Sequence, residues 1–206
     1  MRWRNPLAEI GAIAITLILG ATVAILFAMA FADGEVRRRE VPLSAFLGRQ
    51  AYEALTRGGE STQHYLGNDR LVPDFTLRAQ DGRPWRMSEH RGRVVVLNFW
   101  TVTCQPCLEE MPSLVGLSRI LAHRDDIELV TISTDRDWDT VRTIVPRGSP
   151  LTVLLDPDRA VVRRKFGTRL YPETWVIDPQ GVIRLRVDGA RDWSSPLALE
   201  ILESFR

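Results

Sequence analysis

Val94-Val95-Val96-Leu97-Asn98-Phe99-Trp100 runs apolar for almost its whole length, and Cys104-Gln105-Pro106-Cys107-Leu108-Glu109-Glu110-Met111-Pro112 follows three residues later. An apolar run of that length bounded by a helical pattern predicts a buried strand feeding a helix. A helix that starts at Cys104 aims its unpaired backbone N–H groups and the positive end of its dipole at the first sulfur, which favours the thiolate and nucleophilic attack on a disulfide. Cys107 stands about one turn further in, placed to resolve the mixed disulfide. A redox-active dithiol is therefore expected at the only two cysteines of the chain.

Two blander readings compete. A bridge closing so short a loop removes little unfolded-state entropy, so it contributes little as a purely structural staple. A structural zinc site needs four ligands. There is no second cysteine pair, and His64, His90 and His123 are too scattered to supply a histidine pair. Neither a metal nor a cofactor is expected.

Working outward, 206 residues hold one ordinary domain and an appendage, and 26% charged with 45% apolar residues is a globular composition. The formal net charge is only +1. With no basic stripe interleaved with aromatics, nucleic-acid binding has no support.

Ile10 to Phe31 contains no charged side chain, and as a helix it spans roughly 33 Å, enough for a bilayer core. A transmembrane anchor over 10–31 is expected, after a short tail at 1–9. Ala28-Met29-Ala30 also fits a small-x-small cleavage site, but the apolar run exceeds the about 7 to 15 residues of a typical signal-peptide core. Arg2 and Arg4 precede the span while Arg37, Arg38, Arg39 and Arg49 follow it, so the basic residues do not decide orientation. A short tail, one anchor and a large C-terminal domain suit export. The expectation is a single-pass protein with its C-terminal domain on the extracytoplasmic side.

Residues 32–69 read as a linker, with a short amphipathic helix at about Ser44 to Thr56 before the Gly58-Gly59 break. From residue 70 strands and helices alternate. Strands are expected at Phe75 to Leu77, Val94 to Phe99, Glu128 to Ser133, Val153 to Leu155, Thr174 to Ile177 and Val182 to Val187. Helices are expected from the cysteine motif to Ala122, at Asp137 to Val145, at Arg159 to Phe166, and from an Ser195 cap with Pro196 in the first turn to Phe205. Asp81-Gly82 and Asp178-Pro179-Gln180-Gly181 mark turns. The pattern predicts an α/β three-layer sandwich over 70–206, a mixed central sheet flanked by helices.

Further motifs carry a resemblance. Val72-Pro73-Asp74-Phe75-Thr76-Leu77, Arg91-Gly92-Arg93 before the apolar strand, the cysteine motif through Pro112, Asp156-Pro157-Asp158, Phe166-Gly167 and Tyr171-Pro172-Glu173-Thr174-Trp175-Val176-Ile177-Asp178 together resemble the membrane-tethered, thioredoxin-fold thiol-disulfide oxidoreductases of the TlpA/ResA type. The resemblance covers about residues 70 to 206. It implies a thioredoxin-like fold, with Cys104 attacking and Cys107 resolving. It implies a cis proline at Pro172 facing the motif, with Tyr171 presenting its backbone to a client strand, and Gln105, Pro106 and Trp100 lining the client site. It also implies a glutamate at Glu110 that tunes the thiols. Glu110 lies three residues beyond Cys107 and so shares its helix face; a solvated surface glutamate is the plainer reading. Asn98 stands where thioredoxins carry a buried acid, which directs the proton-handling role to Glu110. Thr103 departs from the tryptophan usual before the first cysteine.

The resemblance implies reduction of disulfides in exported client proteins, of the cytochrome c maturation or respiratory copper-site assembly type, with electrons from a membrane thiol-disulfide donor. Pro172-Glu173-Thr174 is similar to the cytochrome-maturation branch. A peroxiredoxin-like peroxidase is a second reading, because Thr101-Val102-Thr103-Cys104 echoes the Thr-x-x-Cys of that related fold, although Leu97 stands where its proline would be. A copper metallochaperone is a third: soft thiolates with Met111 nearby suit Cu(I), although no histidine follows His123.

Overall fold

The computed structural model describes residues 20–29 and 71–206. The chain divides into two units, Met1–Leu43 and Ser44–Arg206. In the first, residues 20–29 are helical and exposed, and the rest of the expected span 10–31 lies outside the described residues. Among those described, no helix is long and apolar enough to cross a membrane. The tail 1–9 and the expected helix at Ser44 to Thr56 also lie outside them.

The second unit is built on one mixed sheet. Its strands are β1 (Thr76–Ala79), β2 (Pro84–Arg86), β3 (Val94–Trp100), β4 (Ile127–Ser133), β5 (Thr152–Leu155), β6 (Glu173–Ile177) and β7 (Ile183–Asp188). They lie in the order β2-β1-β5-β4-β3-β6-β7. β3, β4 and β5 are parallel, while β6 runs antiparallel to β3 and β7 antiparallel to β6. Every residue of β3 is buried, as a central strand covered on both faces must be. That is why it reads as a continuous apolar run. Asn98 is its one polar residue.

With a side-chain period of two, Val95, Leu97 and Phe99 point to one face of the sheet, where they join Phe75, Trp85, Met87, Val161, Val162 and Phe166 in a core. Asn98 points to the other face, towards the long helix α1 (Gln105–Leu121). Cys107, Glu110, Met111, Leu114, Leu117 and Leu121 form the buried stripe of α1 at helical spacing. A short helix α2 (Trp138–Arg142) is capped by Asp137, whose carboxylate accepts the Thr140 N–H at 2.9 Å. It is shorter than the expected Asp137 to Val145. The terminal helix α3 (Pro196–Glu203) starts at the expected Ser195 cap, whose hydroxyl accepts the Ala198 N–H.

The helix expected at Arg159 to Phe166 is a series of turns instead. The buried Asp156 carboxylate accepts the N–H groups of Ala160, Val161 and Val162 at 2.8–2.9 Å. Arg159 takes a positive φ of 52°. The following backbone bonds mix four-residue and five-residue spans, such as Lys165 to Val161 and Phe166 to Val161. A side chain thus organises this segment in place of the regular helical ladder. Val161, Val162 and Phe166 still reach the core, so the apolar positions are as the sequence implies and only the backbone path differs. β2 was not visible in the sequence pattern because its three residues are too short to show alternation. The architecture is the expected thioredoxin-like α/β fold.

Candidate active site

β3 delivers the chain to the site. Trp100 pairs with Ser133 at the carboxyl end of the parallel strands, and the loop 101–103 leads from there to Cys104. Asp135 braces this loop. Its buried carboxylate accepts the Thr101 hydroxyl at 2.7 Å, the Val102 N–H at 3.1 Å and the Ser133 hydroxyl at 2.7 Å. Three donors from two strand ends thereby converge on one side chain. Asp135 carries no signal in the sequence, because nothing local connects it to residues more than thirty positions earlier.

Cys104 and Cys107 form a disulfide. Cys104 is the N-cap of α1, and its sulfur accepts the Cys107 N–H at 3.2 Å. Pro106 lies in the first turn, where a missing N–H leaves no bond unmade. Cys104 is half-buried and Cys107 is 1% exposed. The outer sulfur can be reached from solvent and the inner one cannot. Gln105, Pro106 and Thr103 are exposed beside it.

Glu110 is 3% exposed, which rules out the plainer reading of a solvated glutamate. Three N–H groups converge on its carboxylate: Asn98 Nδ2 at 2.9 Å on Oε2, and Arg191 N at 3.0 Å and Trp193 Nε1 at 2.6 Å on Oε1. Burial pushes the Glu110 carboxyl above its ordinary value, against the pull of these three donors. The indole and peptide N–H groups can only donate. Asn98 alone can reverse its role by turning its amide. Its Oδ1 has no partner among the described residues, while its Nδ2 also donates to Thr174 Oγ1 at 2.9 Å. Turning the amide would offer Oδ1 to a protonated Glu110 and to the Thr174 hydroxyl. An open cleft of about 480 Å³, bounded by Pro112, Ser113, Arg191 and Asp192, reaches Glu110 and connects it to solvent. A proton can enter and leave there.

Tyr171–Pro172 is the one cis peptide bond among the described residues. Glu173 pairs with Phe99, so Pro172 lies beside the end of β3, at the sheet end from which Cys104 departs. Tyr171 is half-buried, and its peptide groups make no hydrogen bond among the described residues. Glu173, next along, is 1% exposed and bound at both oxygens by Arg186, at 2.6 and 3.1 Å. Burial raises its proton affinity and Arg186 opposes that rise. Trp100 corrects an expectation. It is 0% exposed, because it ends a strand covered on both faces, and it presents no surface to a client.

A thioredoxin-like sheet that holds a CxxC disulfide at the amino end of a long helix, with a cis proline at the same sheet end, defines a thiol-disulfide oxidoreductase. The model described as the AhpC/TSA family matches residues 69–186; the chain belongs to this family and is of its ResA/TlpA thioredoxin-fold type. It is similar to the thiol-disulfide oxidoreductase ResA of Geobacillus thermodenitrificans, 30% identical over 119 residues, 57% of this chain and 67% of that protein. The ResA of Bacillus subtilis is 29% identical over 144 residues, 69% of this chain and 77% of that one. The chain spans about two thirds of the length of several curated relatives it matches. Among solved structures, the pneumococcal exposed lipoprotein thioredoxin Etrx1 of Streptococcus pneumoniae superposes with a TM-score of 0.55 at 25% identity, covering 64% of this chain and 99% of that one.

Proposed function

We propose that the protein reduces disulfides of exported client proteins from a membrane tether. The observation that carries this reading is the pair of sulfurs at the start of α1, the outer one accessible and capping the helix, the inner one buried beneath it. In the reduced enzyme the Cys104 thiolate attacks one sulfur of the client disulfide, and a client thiolate leaves. The Cys107 thiolate then attacks Cys104, the enzyme disulfide re-forms and the second client thiolate leaves. Two electrons pass from the dithiol to the client. The two protons lost by the enzyme thiols end on the client thiols, and Glu110 is placed to hold one in transit.

In this reading 1–9 is a tail, 10–31 anchors the chain in the bilayer of a bacterial inner membrane, 32–69 links the anchor to the domain, and 70–206 works on the periplasmic or extracytoplasmic side. A membrane thiol-disulfide donor returns the electrons. The clients are of the cytochrome c maturation or respiratory copper-site type, a reading supported by Pro172-Glu173-Thr174. Cys104, Cys107, Glu110 and Pro172 carry the chemistry, and Gln105, Pro106 and Tyr171 meet the client. The peroxidase alternative is weakened by Thr101, whose hydroxyl is directed to Asp135 rather than to the Cys104 sulfur.

The reduction potential of the full chain, titrated against a thiol-disulfide buffer, tests the direction of flow. A reductase is expected near the potential of thioredoxin, about −270 mV, and a value near about −120 mV would mark an oxidant. A reporter fused after Arg206 tests the topology: a cytoplasmic signal would overturn export.

A further inference from the structure

The turn segment that replaces the expected helix carries an unmatched charge. Arg159, Arg163, Arg164, Lys165 and Arg169 are all exposed. Their backbones join the turns, but none of the five side chains has a carboxylate partner or a hydrogen bond among the described residues. Several cations elsewhere in the domain are matched, Arg86 with Asp74, Arg124 with Asp126, Arg184 with Asp178 and Arg186 with Glu173, and the unmatched ones, such as Arg119 and Arg147, do not form a run of this density. Within the segment the Asp156 carboxylate is buried against backbone N–H groups, which leaves Asp158 as the one exposed carboxylate. The whole chain has a formal net charge of only +1, so this concentration is local.

Its position relates it to the disulfide. Arg169 runs directly into Leu170, Tyr171 and the cis Pro172. Leu170 is 83% exposed, the most exposed large apolar side chain among the described residues. A single exposed leucine needs no explanation by itself. This one adjoins the unpaired peptide groups of Tyr171, at the sheet end where Cys104 departs, and Thr103 supplies no large apolar surface beside the sulfur.

Resting on the reductase reading above, we infer that the client surface continues from the disulfide across Leu170 onto the cationic segment 159–169, and that it takes an acidic client. The client chain lies extended against Tyr171, as an added strand does, with an apolar residue beside its disulfide resting on Leu170. Asp or Glu residues flanking that disulfide face Arg163, Arg164, Lys165 and Arg169. Complementary charge of this kind raises the encounter rate and selects among partners. A protein segment is favoured over an anionic lipid surface because the cations are continuous with unpaired backbone at the reactive sulfur, which a lipid headgroup does not use.

The test is reduction of three peptide disulfides of equal length by the reduced full chain in detergent. Each peptide carries a leucine beside its cysteine, and the flanks are acidic, neutral or basic. Hydroxyethyl disulfide, small and uncharged, reports the thiol chemistry alone. The acidic peptide is expected to react about tenfold or more faster than the neutral one at low salt, with the difference collapsing at about 0.5 M salt. The triple variant R163E/R164E/K165E should invert the order and leave hydroxyethyl disulfide reduction unchanged. Lys165 is the only lysine of the chain, so its protection from acylation in a Cys107→Ser mixed disulfide with the acidic peptide places the contact. Equal rates for the three peptides, with hydroxyethyl disulfide still reduced, would overturn the inference. So would patch-dependent binding to phosphatidylserine vesicles without any peptide preference, which would assign the cations to lipid. Failure to reduce hydroxyethyl disulfide would overturn the reductase reading itself, and this inference with it.

Discussion

The indole N–H of Trp193 donates to the Glu110 carboxylate at 2.6 Å, across 83 residues of sequence, with both side chains buried. Through this bond the connection between β7 and α3 reaches the helix that carries both cysteines, and so couples the end of the domain to its chemistry. Hydrogen bonds to an ionised buried acid stabilise its charged form.

Trp193→Phe keeps most of the ring volume and removes the donor. The ionised form of Glu110 loses about 1.5–3 kcal/mol, equivalent to a rise of about one to two pH units in its titration. The pH dependence of the reduction potential should show that shift. An unmoved profile would mean that Trp193 only fills space.

Burial sets the sign of the pH dependence of stability. The Glu110 carboxyl lies above its ordinary value of 4.5 in the folded protein, by desolvation first. Its contribution is therefore whole below pH 4.5 and is lost as pH rises through the raised value. Glu110→Gln should flatten this part of the curve, measured as the urea midpoint from pH 4 to 8. The Gln side-chain N–H group then meets Asn98, which has to turn its amide and offer Oδ1.

Asp135→Ala removes the acceptor that joins Thr101, Val102 and Ser133. The expected loss of stability is about 3 kcal/mol, since bonds to a charged group contribute about 1.5–3 kcal/mol each and are not additive. Amide exchange at Val102 to Cys104 should accelerate more than exchange in β3. Uniform acceleration would show a general loss of stability rather than a loosened loop.

Arg186→Met leaves the Glu173 carboxylate buried without its cation. Breaking a buried pair in this way costs about 3–5 kcal/mol, whereas replacing both members by apolar residues is often near neutral. A double-mutant cycle with Glu173→Met, read by urea unfolding, should therefore show the double variant more stable than Arg186→Met alone. A double variant weaker than either single one would contradict this account.

The elements legible in the sequence are those with a local signature. β3 is apolar throughout, α1 follows the cysteines at helical spacing, and Ser195-Pro196 marks the start of α3. The Arg159 to Phe166 pattern was legible only in part. Its apolar positions at Val161, Val162 and Phe166 are buried as their spacing implies, but the path between them follows Asp156, whose carboxylate competes with the helical ladder. At the site, the cysteines could be named from their spacing, and Glu110 from the family resemblance. Asp135 and Trp193 could not, and Trp100 was misplaced, because an aromatic at a strand end looks alike whether it faces a client or the core.

The sequence by itself determined that a strand, a CxxC motif and a helix follow one another and that Tyr171-Pro172 comes later in the chain. Those are properties of side-chain periodicity and backbone chemistry, expressed within a few residues. Only the tertiary structure decided which sulfur meets solvent, that Glu110 lies beneath the surface among three N–H donors, and that five cations run unpaired towards the cis proline. Burial, hydrogen-bond partnership and the pairing of charges depend on residues tens of positions apart, and they exist only once the sheet has brought those residues together.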